Sequence, residues 1–218
     1  MGDGHVNRLP EIISRTKSHW REQVPAMAES VTDIEAEIER LQEEITAKAE
    51  TLHELRRELP HEPVESHPLV DWQGDTVELS DCFGDHEDLL VVHNMGRECV
   101  YCTLWADLFD GVLHHIEDRS AFVVVSPDEP ATQRRFAADR GWGFEMLSDR
   151  TDAFTEDAGF SDGDRLVPGV SSYRRQDDGS VVRVSSAVFG PNDEFEPVWP
   201  LFELLADGPD GWTPQFEY

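Results

Sequence analysis

The sequence predicts an α/β domain, in which helices flank a central mixed sheet, with a long helical arm before it. Two apolar runs of strand length, residues 89–95 and 121–126, predict core strands, and the second is typical of a buried parallel strand. Between them, residues 104–116 place apolar side chains at helical intervals. A strand, a helix and a second strand in this order predict a βαβ unit.

The arm is predicted from a seam of residues that recur at intervals of three and four. All of them are apolar except Lys48, and Pro60 ends the pattern. A seam of about four heptads is typical of a coiled coil and needs a partner surface. A second copy of the chain in a homodimer and the body of its own domain are the two candidate partners, and we favour dimerisation over a catalytic role for this helix. The seam consists of Val31, Ile34, Ile38, Leu41, Ile45, Lys48, Leu52, Leu55 and Leu59.

These patterns divide the chain into an arm, a linker, one α/β domain and a tail. The arm covers residues 1–60 and is coiled-coil-like from about residue 31, and residues 61–68 are a linker. The domain covers residues 69–206, and an aromatic tail covers 207–218. Its element order, β-α-β-α-β followed by a hairpin and a helix, is the thioredoxin arrangement. Within the domain we expect a helix as far as about Arg119, a helix over 130–140, a strand over 144–148, hairpin strands over 170–175 and 181–189, and a helix over about 200–206.

Two cysteines, Cys99 and Cys102, lie between the apolar strand and the helix that follows it. At this spacing the thiols can close into a small disulfide ring, and the N–H groups and dipole of a helix start stabilise a thiolate. A Cys-x-x-Cys pair near a βαβ pattern is typical of thioredoxin-like redox proteins. We therefore predict dithiol–disulfide exchange, with Cys99 as nucleophile and Cys102 as resolving thiol. No cofactor is expected, and the substrate would be a protein or small-molecule disulfide.

Close neighbours of the two thiols are expected to tune or shape the site. Arg97 favours the Cys99 thiolate, whereas the Glu98 carboxylate opposes it. Tyr101 stands between the thiols, as the tyrosine of Pro-Tyr does in glutaredoxin-like sites, but without the proline. Trp105 is expected in the core, with the wall of a substrate groove as the alternative.

Other functions compete for the same residues. Zinc prefers four ligands, usually from two cysteine pairs, and here Cys82 and His93 would have to replace the second pair. A peroxiredoxin-like peroxide reductase would carry a threonine where this chain has Gly96, and Thr103 follows the thiols instead. A non-enzymatic coiled-coil interaction protein with an inactive thioredoxin-like body is the remaining alternative.

The chain is strongly acidic, with 46 Asp and Glu residues against 18 Lys and Arg residues and a formal net charge of −28. Its only lysines are Lys17 and Lys48, and the acidic excess is spread over the whole length. Such a chain repels itself unless salt screens the charges, which indicates a halophilic source, with an acidic mesophilic protein as the alternative. No basic stripe suits nucleic acid, and no apolar run suits a membrane. We therefore expect a cytoplasmic protein.

Several segments together carry a family resemblance. They are C-x-x-C-x-x-W-A-D-x-F-D-G over residues 99–111, G-W-x-F over 141–144, F-x-x-D-x-G over 154–159 and R-R-E-L-P over 56–60. These segments resemble a family of thioredoxin-like proteins, mostly a domain of unknown function, whose members are described as predicted dithiol–disulfide oxidoreductases. The resemblance implies a thioredoxin-like fold with redox-active cysteines at Cys99 and Cys102.

The resemblance also points to a departure from thioredoxins proper, which place a cis-proline opposite the disulfide, just before the hairpin. Aligned on the Asp-Gly turn, this place falls near Ser171, and Pro168 lies earlier. We therefore expect Ser171 near the thiols, where the missing proline would alter substrate docking and leave the thiols more open to metal.

We predict that the fold requires high ionic strength. Thermal unfolding midpoints should rise steeply between about 0.1 M and about 3 M KCl, because salt shortens the range of the repulsion. A parallel series in sucrose separates charge screening from general stabilisation by solutes. A midpoint that stays flat across the KCl series would contradict the halophilic interpretation.

Overall fold

A computed structural model describes residues 31–163, 165–190 and 193–218 of the chain. The chain divides into two compact units, one ending at Leu55 and the other beginning at Arg56. The part of the predicted arm before Val31 lies outside the described residues, so its structure is not tested.

The predicted long helix is present as helix α1, which spans Val31–Glu58. Its seam is solvent-exposed, with exposed fractions of the apolar side chains from 43% at Leu52 to 70% at Val31. Away from the seam, Arg40 forms ion pairs with Glu37 and Glu44 about one turn away on either side, which supports the isolated helix. The coiled-coil partner of the seam stays a prediction.

The second unit is built on a mixed sheet. Its strands and a separate small strand pair are β1 (Glu62–Pro63), β2 (Leu69–Val70), β3 (Thr76–Val77), β4 (Asp88–His93), β5 (Ala121–Ser126), β6 (Glu145–Ser148), β7 (Ser161–Asp162), β8 (Arg165–Leu166), β9 (Gly169–Arg175) and β10 (Val181–Val188). In the described residues the sheet has the order β1-β10-β9-β4-β5-β6-β2-β3, and β7 pairs with β8. Strands β4, β5 and β6 are parallel, while β9 is antiparallel to both β4 and β10.

Helices cover both faces of this sheet. They are α2 (Val100–Gly111), α3 (Leu113–Glu117), α4 (Pro130–Arg140), α5 (Ala153–Asp157) and α6 (Val198–Phe202), with a 3-10 helix at Leu79–Phe83. Helix α4 begins with a proline in its first turn and ends at Gly141, whose φ of 79° suits a glycine cap. The sequence prediction of this helix is confirmed.

The core has two layers because successive side chains of a strand point to opposite faces. On one face, Leu89 and Val91 of β4 pack with Phe154 of α5. On the other face, Val92 packs with Trp105 and other residues of α2. Strand β5 is buried at every residue, which confirms the predicted central parallel strand.

The predicted hairpin is present, and other boundaries differ. The helix after the cysteines does not run unbroken to about Arg119: α2 ends at Gly111, and α3 continues the path to Glu117. The segment predicted as a linker contains β1, whose Glu62 pairs with Arg183 of β10. The last helix, α6, begins earlier than expected, at Val198. Its first N–H groups donate hydrogen bonds to the buried Glu196 carboxylate, which fixes this start.

Among the described residues, no helix has the length and apolar character that a membrane span requires.

We predict that the α1 seam joins two copies of the chain. Replacing both Ile38 and Ile45 with Asp should give monomers in light scattering at high salt, because each buried Ile contributes roughly 1.5–3 kcal/mol. Replacing Gln42 and Thr46 with Asp adds the same charge outside the seam and should leave the dimer intact. A wild-type protein that is already monomeric would contradict this prediction.

Candidate active site

The two cysteines follow the carboxyl end of β4 through a short, tightly held loop. Asn94 extends the strand by donating its N–H to the Val125 carbonyl, and its side chain accepts the Gly96 N–H at 2.8 Å. Gly96 has φ of 100°, and a Cβ there would lie 3.1 Å from Asp128 Oδ2. The same Asp128 oxygen accepts the Arg97 N–H at 2.7 Å. The loop therefore has one defined path into α2.

Cys99 caps α2 through its sulfur. Its backbone is extended, as an N-cap requires, and its Sγ accepts the Cys102 N–H at 3.2 Å. The Cys102 thiol and the N–H groups of Tyr101 and Cys102 stabilise the thiolate, and they lower the Cys99 pKa from 9.0 to about 7 although partial burial opposes this. Half-buried Cys99 is therefore largely ionised just above neutral pH.

Cys102 has the opposite properties. Its side chain is only 3% exposed, and its thiol donates a hydrogen bond to Cys99. This hydrogen bond, burial and the neighbouring thiolate all raise the Cys102 pKa far above its ordinary value. Both thiols are free in this structure. One thiol is thus activated and reachable, and the other is protonated and covered.

Arg97 and Glu98 mainly act on each other. Arg97 Nε lies 3.2 Å from Glu98 Oε1, and the Glu98 side chain is largely in solvent. The pKa of Cys99 is lowered by hydrogen bonds and not by either of these charges. Their predicted influence on the thiolate is therefore small in this arrangement.

The predicted aromatic neighbours separate into two environments. Trp105 is 3% exposed and stacks on Phe189 at 5.2 Å between ring centroids, so it belongs to the core. Tyr101 is partly exposed and stacks nearly parallel on Trp199, with centroids 5.9 Å apart. Trp212 packs against the edge of Trp199. The segment around α6 therefore lies beside the first turn of α2, and of Tyr101 and Trp105 only Tyr101 reaches solvent.

Ser171 lies away from the thiols. It is fully buried inside β9, on the sheet face opposite α2, where its Oγ lies 2.7 Å from His93 Nε2 and 3.0 Å from the Tyr173 hydroxyl. The position directly before β9 is held by Pro168. The expected place of Ser171 near the thiols is therefore wrong, because the register of β9 against β4 pairs Ser171 with Val91 and turns its side chain to the opposite face of the sheet. His93 is a core residue, with a pKa lowered to about 3 by burial.

The two aspartates in the segment of family resemblance over residues 99–111, Asp107 and Asp110, have a structural role. Asp107 accepts hydrogen bonds from Arg140 Nε at 2.9 Å and from Trp142 Nε1 at 2.8 Å. Asp110 accepts the Gly143 N–H at 2.7 Å. Both side chains connect α2 to the loop between α4 and β6 and do not face the thiols.

A zinc site would need several ligating side chains close together. Among the described residues, no three His, Cys, Asp or Glu side chains lie close enough together to hold a metal ion. Cys82 lies in the 3-10 helix and packs against the core on the face opposite α2. Burial raises its pKa to about 12, with Glu145 and Asp81 adding to this.

Sequence reasoning missed three residues that position or flank the thiols, namely Asn94, Asp128 and Trp199. A signal existed for Asp128, because it follows β5, and the carboxyl ends of adjacent parallel strands meet at one edge of the sheet. No spacing rule connects Trp199 with Tyr101, which lies far from it in the chain.

The sheet order and the cysteine pair at the start of α2 define a thioredoxin-like protein. The family profile described as "Bacterial protein of unknown function (DUF899)" matches residues 24–215, and the chain belongs to this family. The description names no activity, so the dithiol–disulfide function that the resemblance implied stays a proposal. A search of curated proteins finds no match.

Solved structures with a similar fold include peroxiredoxins. The peroxidoxin BcpB from Mycobacterium tuberculosis has a TM-score of 0.50 and 19% identity, over 63% of this chain and 88% of that one. A peroxiredoxin-like protein from Aquifex aeolicus has a TM-score of 0.47 and 16% identity, over 59% and 74%. An uncharacterised conserved protein from Geobacillus kaustophilus has a TM-score of 0.44 and 16% identity, over 62% and 72%. At 19% identity, the likeness to the Mycobacterium tuberculosis protein shows the fold alone.

We predict that Cys99 alkylation by iodoacetamide has a pH midpoint at about 7, because the thiolate is the reactive species. In Cys102→Ala the thiol donor is lost, and the midpoint should move towards 9.0, the ordinary cysteine value. Cys82→Ala, used as the background of both proteins, removes any slow reaction at the third cysteine. Equal midpoints with and without Cys102 would contradict this account of the low pKa.

Proposed function

We propose that the protein is a thiol–disulfide oxidoreductase that uses Cys99 and Cys102. In the first step, Cys99 Sγ attacks one sulfur of a disulfide substrate as a thiolate. A bond forms between these sulfurs, the substrate S–S bond breaks, and the leaving thiolate takes a proton from solvent. The product is a mixed disulfide between Cys99 and one half of the substrate.

In the second step, Cys102 attacks Cys99 Sγ and loses its proton to the departing substrate thiolate. The Cys99–Cys102 disulfide forms, and the second substrate thiol leaves. The substrate has then gained two electrons and two protons, and the dithiol has been oxidised by two electrons. An external thiol, dithiothreitol in an assay, returns the protein to the dithiol form.

The asymmetry of the two thiols carries this proposal. Cys99 is half-buried and has a pKa of about 7, while Cys102 is 3% exposed and its pKa is raised. Attack therefore begins at Cys99. Once Cys99 is in a mixed disulfide, it can no longer hold a negative charge, so the thiolate that raises the Cys102 pKa is gone. The covered thiol becomes more acidic at the stage where it has to react.

We predict that Cys99→Ser abolishes reduction of insulin disulfides with dithiothreitol as the electron donor. Cys102→Ser should accumulate a mixed disulfide with the substrate, visible by mass spectrometry, because the resolving thiol is missing. Cys82→Ser is the matched control and should retain the wild-type rate. Full activity of Cys99→Ser would overturn the proposal, and stoichiometric zinc with no disulfide formed under oxidant would replace it by a metal site.

Peroxide reduction is the second candidate, and it is supported by the low Cys99 pKa together with the fold. Cys99 thiolate would attack a peroxide oxygen to give a sulfenic acid and an alcohol or water, and Cys102 would then close the disulfide with loss of water. However, Thr103 Oγ1 donates to the Cys99 carbonyl at 3.1 Å and is not free to bind peroxide. Dimedone labelling of Cys99 in Cys102→Ser, at stoichiometric hydrogen peroxide, distinguishes this reaction from disulfide exchange.

A further inference from the structure

A cavity lies beside Asp88, at the end of β4 opposite to the thiols. Its volume is about 590 Å³, and Asp88 and Arg174 stand on its wall. Asp88 begins β4, whereas the loop to Cys99 follows His93 at the other end of the strand. The cavity is therefore separate from the dithiol site, and all of its lining belongs to the unit that begins at Arg56.

The charged lining of this cavity is mostly cationic. Three arginines line it, namely Arg57, Arg119 and Arg174, against one carboxylate, Asp88, and the imidazole of His61 stands beside them. In the whole chain, acidic residues outnumber Lys and Arg by 46 to 18. The charge of this lining is thus positive, whereas the net charge of the chain is strongly negative and repels anions.

The single carboxylate does not neutralise this cluster. Arg174 donates two hydrogen bonds to Asp88, from Nε at 2.7 Å and from Nη2 at 2.9 Å. Arg119 Nη1 lies 2.8 Å from the same carboxylate, and the two guanidinium groups lower the Asp88 pKa. Glu87, outside the lining, also acts on Arg174. The remaining positive charge rests chiefly on Arg57 and Arg119.

Two polar side chains of the lining are available to a ligand. Among the residues that the structure describes, Arg57 and His61 have no side-chain hydrogen bond or ion pair, and both are exposed. Arg119 keeps 74% of its side chain in solvent while it contacts Asp88. A guanidinium group presents paired N–H donors that match the oxygens of a carboxylate or phosphate.

The floor of the cavity is apolar where β4, β9 and β10 run side by side. Leu90 of β4 and Val184 of β10 contribute to it, and both are partly exposed. Val184 stands at an irregularity of the β9–β10 pairing, between Arg183 and Ser185. A purely inorganic anion would leave this floor uncovered.

We propose that this cavity binds a small amphipathic acid. Its oxyanion, a carboxylate or a phosphate monoester, lies between Arg57 and Arg119, and its short apolar chain lies on Leu90 and Val184. The site does not depend on the thiols, so the proposal stands or fails separately from the proposed redox function.

Calorimetric titration with matched probes tests this site on the full chain, at the lowest KCl concentration that keeps it folded. Hexanoate and hexyl phosphate should bind at one site, while hexanol, which lacks the charge, and inorganic phosphate, which lacks the chain, should bind at least about fivefold more weakly. A larger affinity for hexyl phosphate than for hexanoate would assign the head group as a phosphate, and the reverse order would assign a carboxylate. Equal binding of hexanol and hexanoate would overturn the proposal.

Arg57→Gln should weaken hexanoate and hexyl phosphate binding at least about fivefold, because it removes one of the two guanidinium groups that hold the oxyanion. Among the described residues Arg57 has no side-chain partner, so the substitution breaks no other contact there. The matched control is Arg135→Gln, which removes one charge from an exposed arginine of α4 and should leave binding unchanged. An unchanged Cys99 alkylation rate shows that both variants are folded. Equal weakening by the two substitutions, or none in either, would overturn the proposed site.

Discussion

The hydrogen bond from the Cys102 N–H to Cys99 Sγ joins the chemistry of this protein to its fold. The first turn of any helix leaves N–H groups without helical partners, and α2 uses one of them to hold a sulfur. The interaction favours the ionised sulfur, and the ionised sulfur in turn stabilises the helix start. Because the bond requires Cys99 at the N-cap and Cys102 in the first turn, the pKa of Cys99 depends on where α2 begins.

The start of α2 is set by residues that take no part in the chemistry. Asn94 and Asp128 hold the backbone between β4 and α2, and Gly96 supplies the conformation that this path needs. Farther along the helix, Asp107 and Asp110 accept hydrogen bonds from the end of α4 and from the loop after it. The helix is thus held at the thiols and again two turns later. The segment of family resemblance over residues 99–111 therefore holds the two cysteines together with aspartates that fix the position of their helix.

The sheet gives the molecule two chemically different ends. At the carboxyl ends of the parallel strands, hydrogen bonds of neutral groups prepare a thiolate with little help from the Arg97–Glu98 pair. At the opposite end of β4, Asp88 forms ion pairs with Arg174 and Arg119, in a protein with a formal net charge of −28. The first arrangement stabilises an anion of the protein itself, and the second leaves positive charge for an anion from outside.

The sequence by itself determined the elements whose causes are local. The seam of α1 follows from helical spacing, strand β5 from a run of apolar and β-branched residues, and the limits of α4 from Pro130 and Gly141. The place of the cysteine pair between a strand and a helix also follows from the sequence, and the structure shows this placement. Each of these features depends on residues that are close to one another in the sequence.

Only the tertiary structure decided which distant side chains meet. Ser171 could not be placed from sequence, because its face of the sheet depends on the register of β9 against β4, and a small error of alignment moves a residue from one face to the other. The same holds for Trp199 beside Tyr101, and for Arg57, Arg119 and Arg174 around one cavity. Spacing along the chain predicts local contacts, whereas contacts between remote segments are fixed by strand order and packing.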